Sequence, residues 1–509
     1  MTDNNSSQEE TGMGGHPWPT SVDPFLSVPT WAEPSMPDAL LALGKRTEIR
    51  FPQGMLACLR EELLGDQARE QFALLLGQRQ SSPCGQEIVV VREIHFPGDE
   101  DIESSARYHV RPSRGFVRDV LACMQGRSEL DVIVDVHTHP FSDEAWFSGV
   151  DDEDERTFCT FLRRTLGRGL TFASIVLARQ EQAGRIWRMC GSEAVSVPAH
   201  IKTQTAVEIP TPARDGLDLP QEGMLARSAL ALGVDVLRRI SVDRLIVLAG
   251  VGGLGSVLAE ELARSGFGFI GLIDEDVLEV SNLNRFAGGY LSDALARRPK
   301  VDVVAEHLAR INPEIRTICL QRNVEHPEAE ALMAAADWIL VSTDSHGSRH
   351  EVQRAALKYA VPLISAGVSI TVENKNGRHR ILDQSGEVIL LRNGDGFCLH
   401  CLGRLDTTRI AAERHPDARV RQGLVHKGYV QGVVEKEPAV MPLNAIIASQ
   451  AVQCLFDQFR EGVEHAPVTV YEGHDGGRMY EDTESLAALP AYCCNCGRVA
   501  IPELTTDVA

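Results

Sequence analysis

An α/β architecture in two halves is predicted for this 509-residue chain: an α+β domain first, then a Rossmann-like, mostly parallel α/β domain. Three observations predict it. Short apolar runs alternate with helix-like stretches from about residue 244 onward. A glycine-rich loop, Gly250-Val251-Gly252-Gly253-Leu254-Gly255, sits between one such run and the helix that follows. The length allows two or three domains, and the 43% hydrophobic and 24% charged content matches soluble globular chains.

Residues 1–36 are rich in Ser, Gly, Pro and Glu, lack periodicity and are expected to form a disordered tail. Residues 37–205 form a first folded unit, with a helical stretch over 55–72 and strand-like runs at 87–92, 131–137 and 171–178. A proline-bearing linker occupies 206–222. The second domain, 223–509, opens with the apolar run 245–248, the glycine loop and a helix over 256–264. Runs at 270–273, 338–341 and 363–365 follow, and the alternation argues for parallel strands covered on both faces.

Charge and hydropathy exclude several classes. A net charge of −21, with no basic patch, disfavours nucleic acid as a partner. No apolar run approaches the roughly 20 residues that span a bilayer, so no membrane association is expected. The polar, acidic N-terminus lacks a secretory signal pattern, which predicts a cytoplasmic protein. Its 12 cysteines are then reduced thiols or metal ligands.

In the glycine loop, Gly250 allows a tight turn, Gly252 and Gly253 permit close approach of a phosphate, and Gly255 lets the helix pack against its strand. The helix N-terminus offers unpaired N–H groups to an anion. Asp274, about 20 residues on, can accept a ribose hydroxyl. The loop alone fits NAD equally well. The residues after it favour a triphosphate: Ser281-Asn282-Leu283-Asn284-Arg285, then Lys300, then Asp344. Arg and Lys neutralise phosphates and a departing pyrophosphate, and a carboxylate at a strand end can hold Mg²⁺.

These four motifs, in this order, make the stretch from about 227 to 370 resemble the ThiF/MoeB/HesA adenylating family, related to ubiquitin-activating enzymes. The resemblance implies that Asp274 binds ribose, that Asn282, Arg285 and Lys300 line the phosphates of ATP, and that Asp344 lies near Mg²⁺. It implies that Arg227 reaches into a partner subunit's nucleotide site, hence a homodimer. Phe286 departs from the Gln usual in the family. The implied reaction joins the C-terminal glycine carboxylate of a ubiquitin-like protein to AMP.

Cys398-Leu399-His400-Cys401 and Cys493-Cys494-Asn495-Cys496 pair thiols at Cys-x-x-Cys spacing, which predicts a structural zinc site of Cys398, Cys401, Cys493 and Cys496. His400 could replace one thiolate, and Cys494 is left over. The stretch 419–444, where many family members carry a thioester-forming cysteine, contains none; Cys454, in the helix predicted after it, is expected to be core. The adenylate would then pass directly to another protein's thiol, for instance that of a conjugating enzyme, or Cys454 or another cysteine would stand in.

In the first domain, His137-Thr138-His139-Pro140 ends a predicted strand, where residues two apart share a face and both imidazoles can reach one metal. Ser148-Gly149-Val150-Asp151 follows. Two His and one Asp leave a zinc position open, which marks a catalytic site, where zinc makes water nucleophilic near neutral pH. Glu70, leading into an apolar run, is the candidate general base. The set resembles the JAMM (MPN/JAB) metalloprotease family over about 45–195. That resemblance implies an MPN-type fold, His137, His139 and Asp151 as ligands, Glu70 as base and Ser148 as oxyanion donor. The His139–Ser148 spacing is one residue longer than is common, so Asp152 or Asp154 competes with Asp151.

Together these readings predict two activities on one ubiquitin-like modifier: ATP-dependent activation of its C-terminus and zinc-dependent cleavage of its conjugates or precursor. Activation and tail-trimming of a sulfur-carrier protein is the alternative enzyme class. A non-catalytic scaffold and an NAD-dependent oxidoreductase are the remaining rivals.

Overall fold

Uninterrupted apolar runs such as Ala73-Leu74-Leu75-Leu76 can bury both faces of a strand only where the sheet is covered on both sides, and the chain satisfies them that way. A computed structural model describes residues 36–106, 109–166, 169–190, 193–205, 223–241, 244–375, 378–415, 417, 419 and 438–499. The expected tail, apart from its last residue, and the expected linker lie outside these residues, as does most of 419–444. The described residues from Pro37 onward belong to one compact unit.

In the first half the strands are β1 (Thr47–Arg50), β2 (Phe72–Ser81), β3 (Glu87–His95), a side hairpin β4 (Ile102–Ala106) and β5 (His109–Pro112), then β6 (Val132–His139), β7 (Thr171–Ala178), β8 (Gln182–Cys190) and β9 (Glu193–Lys202). Seven of them close into a barrel in the order β1-β3-β2-β6-β7-β8-β9. Alternate side chains serve two cores. Ala73 and Leu75 join Val132, Val134 and Val136 in a cluster with the helix Met55–Leu64. Phe72, Leu74 and Leu76 face the helices Arg114–Cys123 and Gly149–Leu166.

The second half holds β10 (Leu245–Ala249), β11 (Phe269–Ile273), β12 (Arg316–Leu320), β13 (Trp338–Val341), β14 (Leu363–Lys375), β15 (Arg378–Leu391), β16 (Val468–Glu472) and β17 (Arg478–Glu481). Their order is β12-β11-β10-β13-β14-β15-β16-β17. The first five are parallel and the rest antiparallel. The strand order reverses around β10, the crevice where ligands of doubly wound sheets bind.

Several boundaries differ from expectation. The helix predicted over 55–72 ends at Leu64: Asp66 Oδ1 accepts the Ala68 N–H at 2.8 Å, a local turn that competes with the next helical bond. Glu70 therefore lies on extended chain before β2. The run at 363–365 is only the buried root of a 13-residue strand, whose outer part alternates half-buried Val368, Ile370 and Val372 with exposed polar residues.

The two halves meet through a buried polar joint. Arg50, 1% exposed, donates to Tyr359 O at 2.6 Å and Ala334 O at 2.7 Å, and its Nε donates to Glu48 at 2.8 Å. Lys202 bridges Glu48 and Asp337, each at 3.0 Å. Gln204 donates to Phe51 O and Ala360 O, and Gln53 N donates to Asn393 O. Every second-half partner lies where a strand of the parallel sheet begins or where β15 ends beside it. Among the described residues no helix is long and apolar enough to cross a membrane.

Candidate functional site

The glycine loop lies at the C-terminal ends of β10, β11 and β13, the edge opposite the joint. Gly250 has φ +90, a conformation that glycine adopts freely, and a Cβ there would meet Thr343 N at 2.9 Å. A Cβ on Gly253 would lie 2.6 Å from Asn444 Nδ2 and 2.8 Å from Arg285 Cγ, and one on Gly255 would run into Gly250 O. Gly252 caps the helix Gly253–Arg264, which starts three residues earlier than predicted.

Asp274 receives the Val251 N–H at 2.7 Å, which ties it to the loop, and burial pushes its carboxyl up despite Lys300 nearby. Lys300, at the first turn of Lys300–Ile311, reaches Asp276 at 2.7 Å and Asp274 at 3.8 Å. Asn282 accepts the Glu279 N–H, and Arg285 donates to Ser281 O and Asn284 Oδ1. The structure thus gathers Gly250, Gly253, Asp274, Arg285 and Lys300 around one crevice. Asp344 lies exposed beside it, lining a cavity of about 370 Å³ with His346, Arg349, Ser369, Glu387 and Arg404. Arg227 lies exposed on the short helix Ala226–Leu232, and no hydrogen bond among the described residues joins it to the loop. Asn444 belongs to this crevice and escaped the sequence reading; it comes from the helix Met441–Asp457, about 190 residues downstream of the loop.

The four thiols converge. Cys398 Sγ lies 3.7 Å from Cys401 and 3.8 Å from Cys493, and Cys401 lies 3.6 Å from Cys496. A tetrahedron with zinc–sulfur bonds near 2.3 Å has edges of about 3.8 Å, whereas a disulfide needs about 2.05 Å. The residues therefore fit a structural zinc ion. Burial, then the neighbouring thiols, pushes Cys401 up to about 11, and Cys496, then burial, raises Cys398. Only a cation would make them thiolates at neutral pH. His400 does not substitute as a ligand: its Nε2 lies 2.8 Å from His350 Nδ1. Cys494 is exposed and outside the tetrad, and Cys454 is buried with its thiol pushed up by that burial.

His137 and His139 end β6, and the segment leading into β2 beside them brings Glu70 to the same place. The Gln71 N–H to Thr138 Oγ1 bond, at 2.9 Å, locks the two segments together. Ligand atoms of His137, His139 and Asp151 lie within 4.8 Å of one another. His137 Nε2 is 3.6 Å from Asp151 Oδ1, close to the roughly 3.4 Å edge of a zinc tetrahedron with nitrogen and oxygen ligands. Asp152 instead pairs with Arg185 at 2.5 Å and Asp154 is exposed, so Asp151 faces the histidines. Ser148 and Asp151 bond reciprocally, Ser148 N to Oδ2 at 2.6 Å and Asp151 N to Ser148 Oγ at 3.2 Å, so Ser148 here orients Asp151.

Charge in this cluster is organised for a cation. Burial opposes protonation of His137, but Asp135 and Asp151 outweigh it and push it up to about 10. Burial, with His137 beside it, pushes His139 down to about 4. Asp151 is held well below the usual carboxylate range, its burial outweighed by His137 and Ser148. Glu70, 6% exposed and 3.8 Å from His139, is pushed up to about 7 by burial, with His137 opposing and Asp151 adding. That value suits a general base at neutral pH.

The crevice defines a class, a nucleotide-type cradle at the switch point of a doubly wound sheet. The family follows from sequence: residues 225–476 match the ThiF family, and this stretch is a ThiF-family domain. The chain is 32% identical over 164 residues to the molybdopterin-synthase adenylyltransferase of Escherichia coli, covering 32% of this chain and 60% of that protein. It is 35% identical over 142 residues to a tRNA threonylcarbamoyladenosine dehydratase of Bacillus subtilis, covering 28% and 55%. It is 34% identical over 125 residues to the E. coli sulfur carrier protein ThiS adenylyltransferase, covering 25% and 49%. The chain thus spans about half to three fifths of these relatives. A crystal structure of E. coli MccB with ATP superposes with TM-score 0.41 at 19% identity, covering 56% of this chain and 75% of that one.

Proposed function

We propose that the ThiF-family domain adenylates the C-terminal glycine carboxylate of a ubiquitin-like or sulfur-carrier protein. The gathering of Gly250, Asp274, Arg285 and Lys300 at one strand edge carries this reading. A carboxylate oxygen would attack the α-phosphorus of ATP, and the bond to the β-phosphate would break to release pyrophosphate. Asp274 would hold the ribose, and Asn282, Arg285 and Lys300 the phosphates. Asp344 would hold Mg²⁺. Because phosphoryl and nucleotidyl transfer depend on position and charge, no side-chain nucleophile is required. Arg227, exposed and unengaged with the loop, is the residue that would complete a second subunit's site in a homodimer.

The barrel we read as a JAMM-type zinc peptidase acting on the same modifier. Its support is the cluster of His137, His139 and Asp151 beside Glu70. Zinc held there would make water nucleophilic near neutral pH. Glu70 would take the proton and return it to the leaving amine, Asp151 would stay ionised, and Ser148 would hold Asp151 in place.

ATP–pyrophosphate exchange tests the first activity. Purified protein with Mg²⁺, labelled pyrophosphate and a panel of glycine-ended ubiquitin-like and sulfur-carrier proteins should exchange with at least one; silence from a folded sample with all of them would falsify activation. For the second, Glu70→Gln should keep zinc yet lose cleavage of a carboxyl-extended modifier, and normal cleavage by that variant would remove Glu70 as base. A second reading, sulfur-carrier chemistry, is favoured by the names of the E. coli relatives. Exchange confined to sulfur carriers would select it over conjugation.

A further inference from the structure

Asp135 stands two residues before His137 on β6, so the two side chains leave the same face of the strand. Asp135 Oδ1 lies 3.9 Å from His137 Nδ1, while the opposite ring nitrogen, Nε2, lies 3.6 Å from Asp151. Asp135 Oδ1 and His137 Nε2 are both buried and have no hydrogen-bond partner. An uncompensated buried carboxylate oxygen is costly, so its placement behind a ring nitrogen calls for a role. A neutral imidazole carries one donor and one acceptor, and a carboxylate only accepts. With its proton on Nδ1, facing Asp135, His137 presents the Nε2 lone pair to His139 and Asp151.

A second set of contacts holds the same ring. Phe147 meets His137 edge-on at 6.4 Å. The Arg185 guanidinium lies over the Phe147 ring at 3.7 Å and is bonded to Glu155 at 2.9 Å and Asp152 at 2.5 Å. Trp187 also donates to Glu155, at 2.7 Å. Phe147 is therefore pinned by the buried Arg185–Glu155 pair, and His137 has little freedom to rotate away from Asp135.

We propose that Asp135 is a positioning residue for His137, fixing the Nδ1–H tautomer so that Nε2 is aimed at the ion shared with His139 and Asp151. A carboxylate behind a metal-bound imidazole typically raises its basicity and affinity for the metal about 10- to 100-fold. This inference rests on the metal reading of the cluster.

The test uses the full-length protein and Zn²⁺ alone, titrated against a chromophoric chelator. The wild-type chain should hold two equivalents, one in the thiol tetrad and one in the histidine cluster. Asp135→Ala should weaken the cluster equivalent about 10- to 100-fold and leave the tetrad equivalent within twofold. Should Asp135→Ala fold poorly, Asp135→Asn keeps the shape and an acceptor oxygen without the charge, and should weaken the same equivalent by a smaller factor. A merely structural role would lower the thermal midpoint and leave the zinc affinity of the folded protein unchanged. Two wild-type equivalents with unchanged affinity in both variants overturn this inference alone; a wild-type chain with only the tetrad equivalent overturns the metal reading and this inference with it.

Discussion

Replacing Arg50 with Leu should loosen the joint between barrel and sheet without touching either candidate site. The guanidinium is almost wholly buried and spans both halves, with two bonds to second-half carbonyls and a pair with Glu48. Breaking a buried ion pair by removing one partner costs about 3–5 kcal/mol, and the lower figure applies because Lys202 still reaches Glu48 at 3.0 Å. Each carbonyl left without a donor adds about 1–3 kcal/mol, but the terms share one side chain and do not add fully. About 4 kcal/mol is expected. For a unit the size of the barrel each kcal/mol moves the midpoint about 2–4 °C, so its unfolding should fall by roughly 10 °C. Differential scanning calorimetry reads this directly: one cooperative transition for the parent should split, the barrel melting first. A single transition within 2 °C of the parent would show that Arg50 does not hold the joint.

The joint should also loosen in acid. Burial raises Glu48 and Asp337, but Arg50 and Lys202 on the first, and Lys202 and Arg244 on the second, hold both carboxyls below their usual range. Groups depressed on folding contribute stability above their unfolded value, about 4, and lose it as pH falls through the folded one. The midpoint should thus drop below about pH 4, and Asp337→Asn should flatten that dependence in pH-resolved calorimetry. Cys398→Ser should lower bound zinc by one equivalent and destabilise the sheet half; unchanged zinc by elemental analysis would refute the tetrad. Gly250→Ala forces a Cβ to within 2.9 Å of Thr343 N at φ +90, and should weaken binding of a fluorescent ATP analogue at least tenfold while zinc content stays constant.

The two candidate sites are built on strands other than the one that docks the halves together. β6, which carries both histidines, is as far from the docked strand β1 as a seven-strand order permits. The crevice at Gly250 lies at the C-terminal ends of the parallel strands, whereas the joint uses the ends at which those strands begin.

Much of this was legible in the sequence because it is local chemistry. Gly250 to Gly255 must make a tight turn wherever the chain goes, and Cys-x-x-Cys or His-x-His spacing places two ligands on one side of a metal. The strand–loop–helix alternation around β10 likewise reflects buried apolar runs that need partners on both faces. What the sequence could not decide is which distant residues complete each constellation. Asp151 was separable from Asp152 only once Arg185, from another strand, claimed the latter. Asn444 reached the crevice through a helix with no motif of its own. Asp135 looked like an ordinary acidic residue in a strand until the barrel closed around it and left its carboxylate behind His137. Those assignments depend on closure and docking, which are set by the sum of many buried contacts and not by any short pattern.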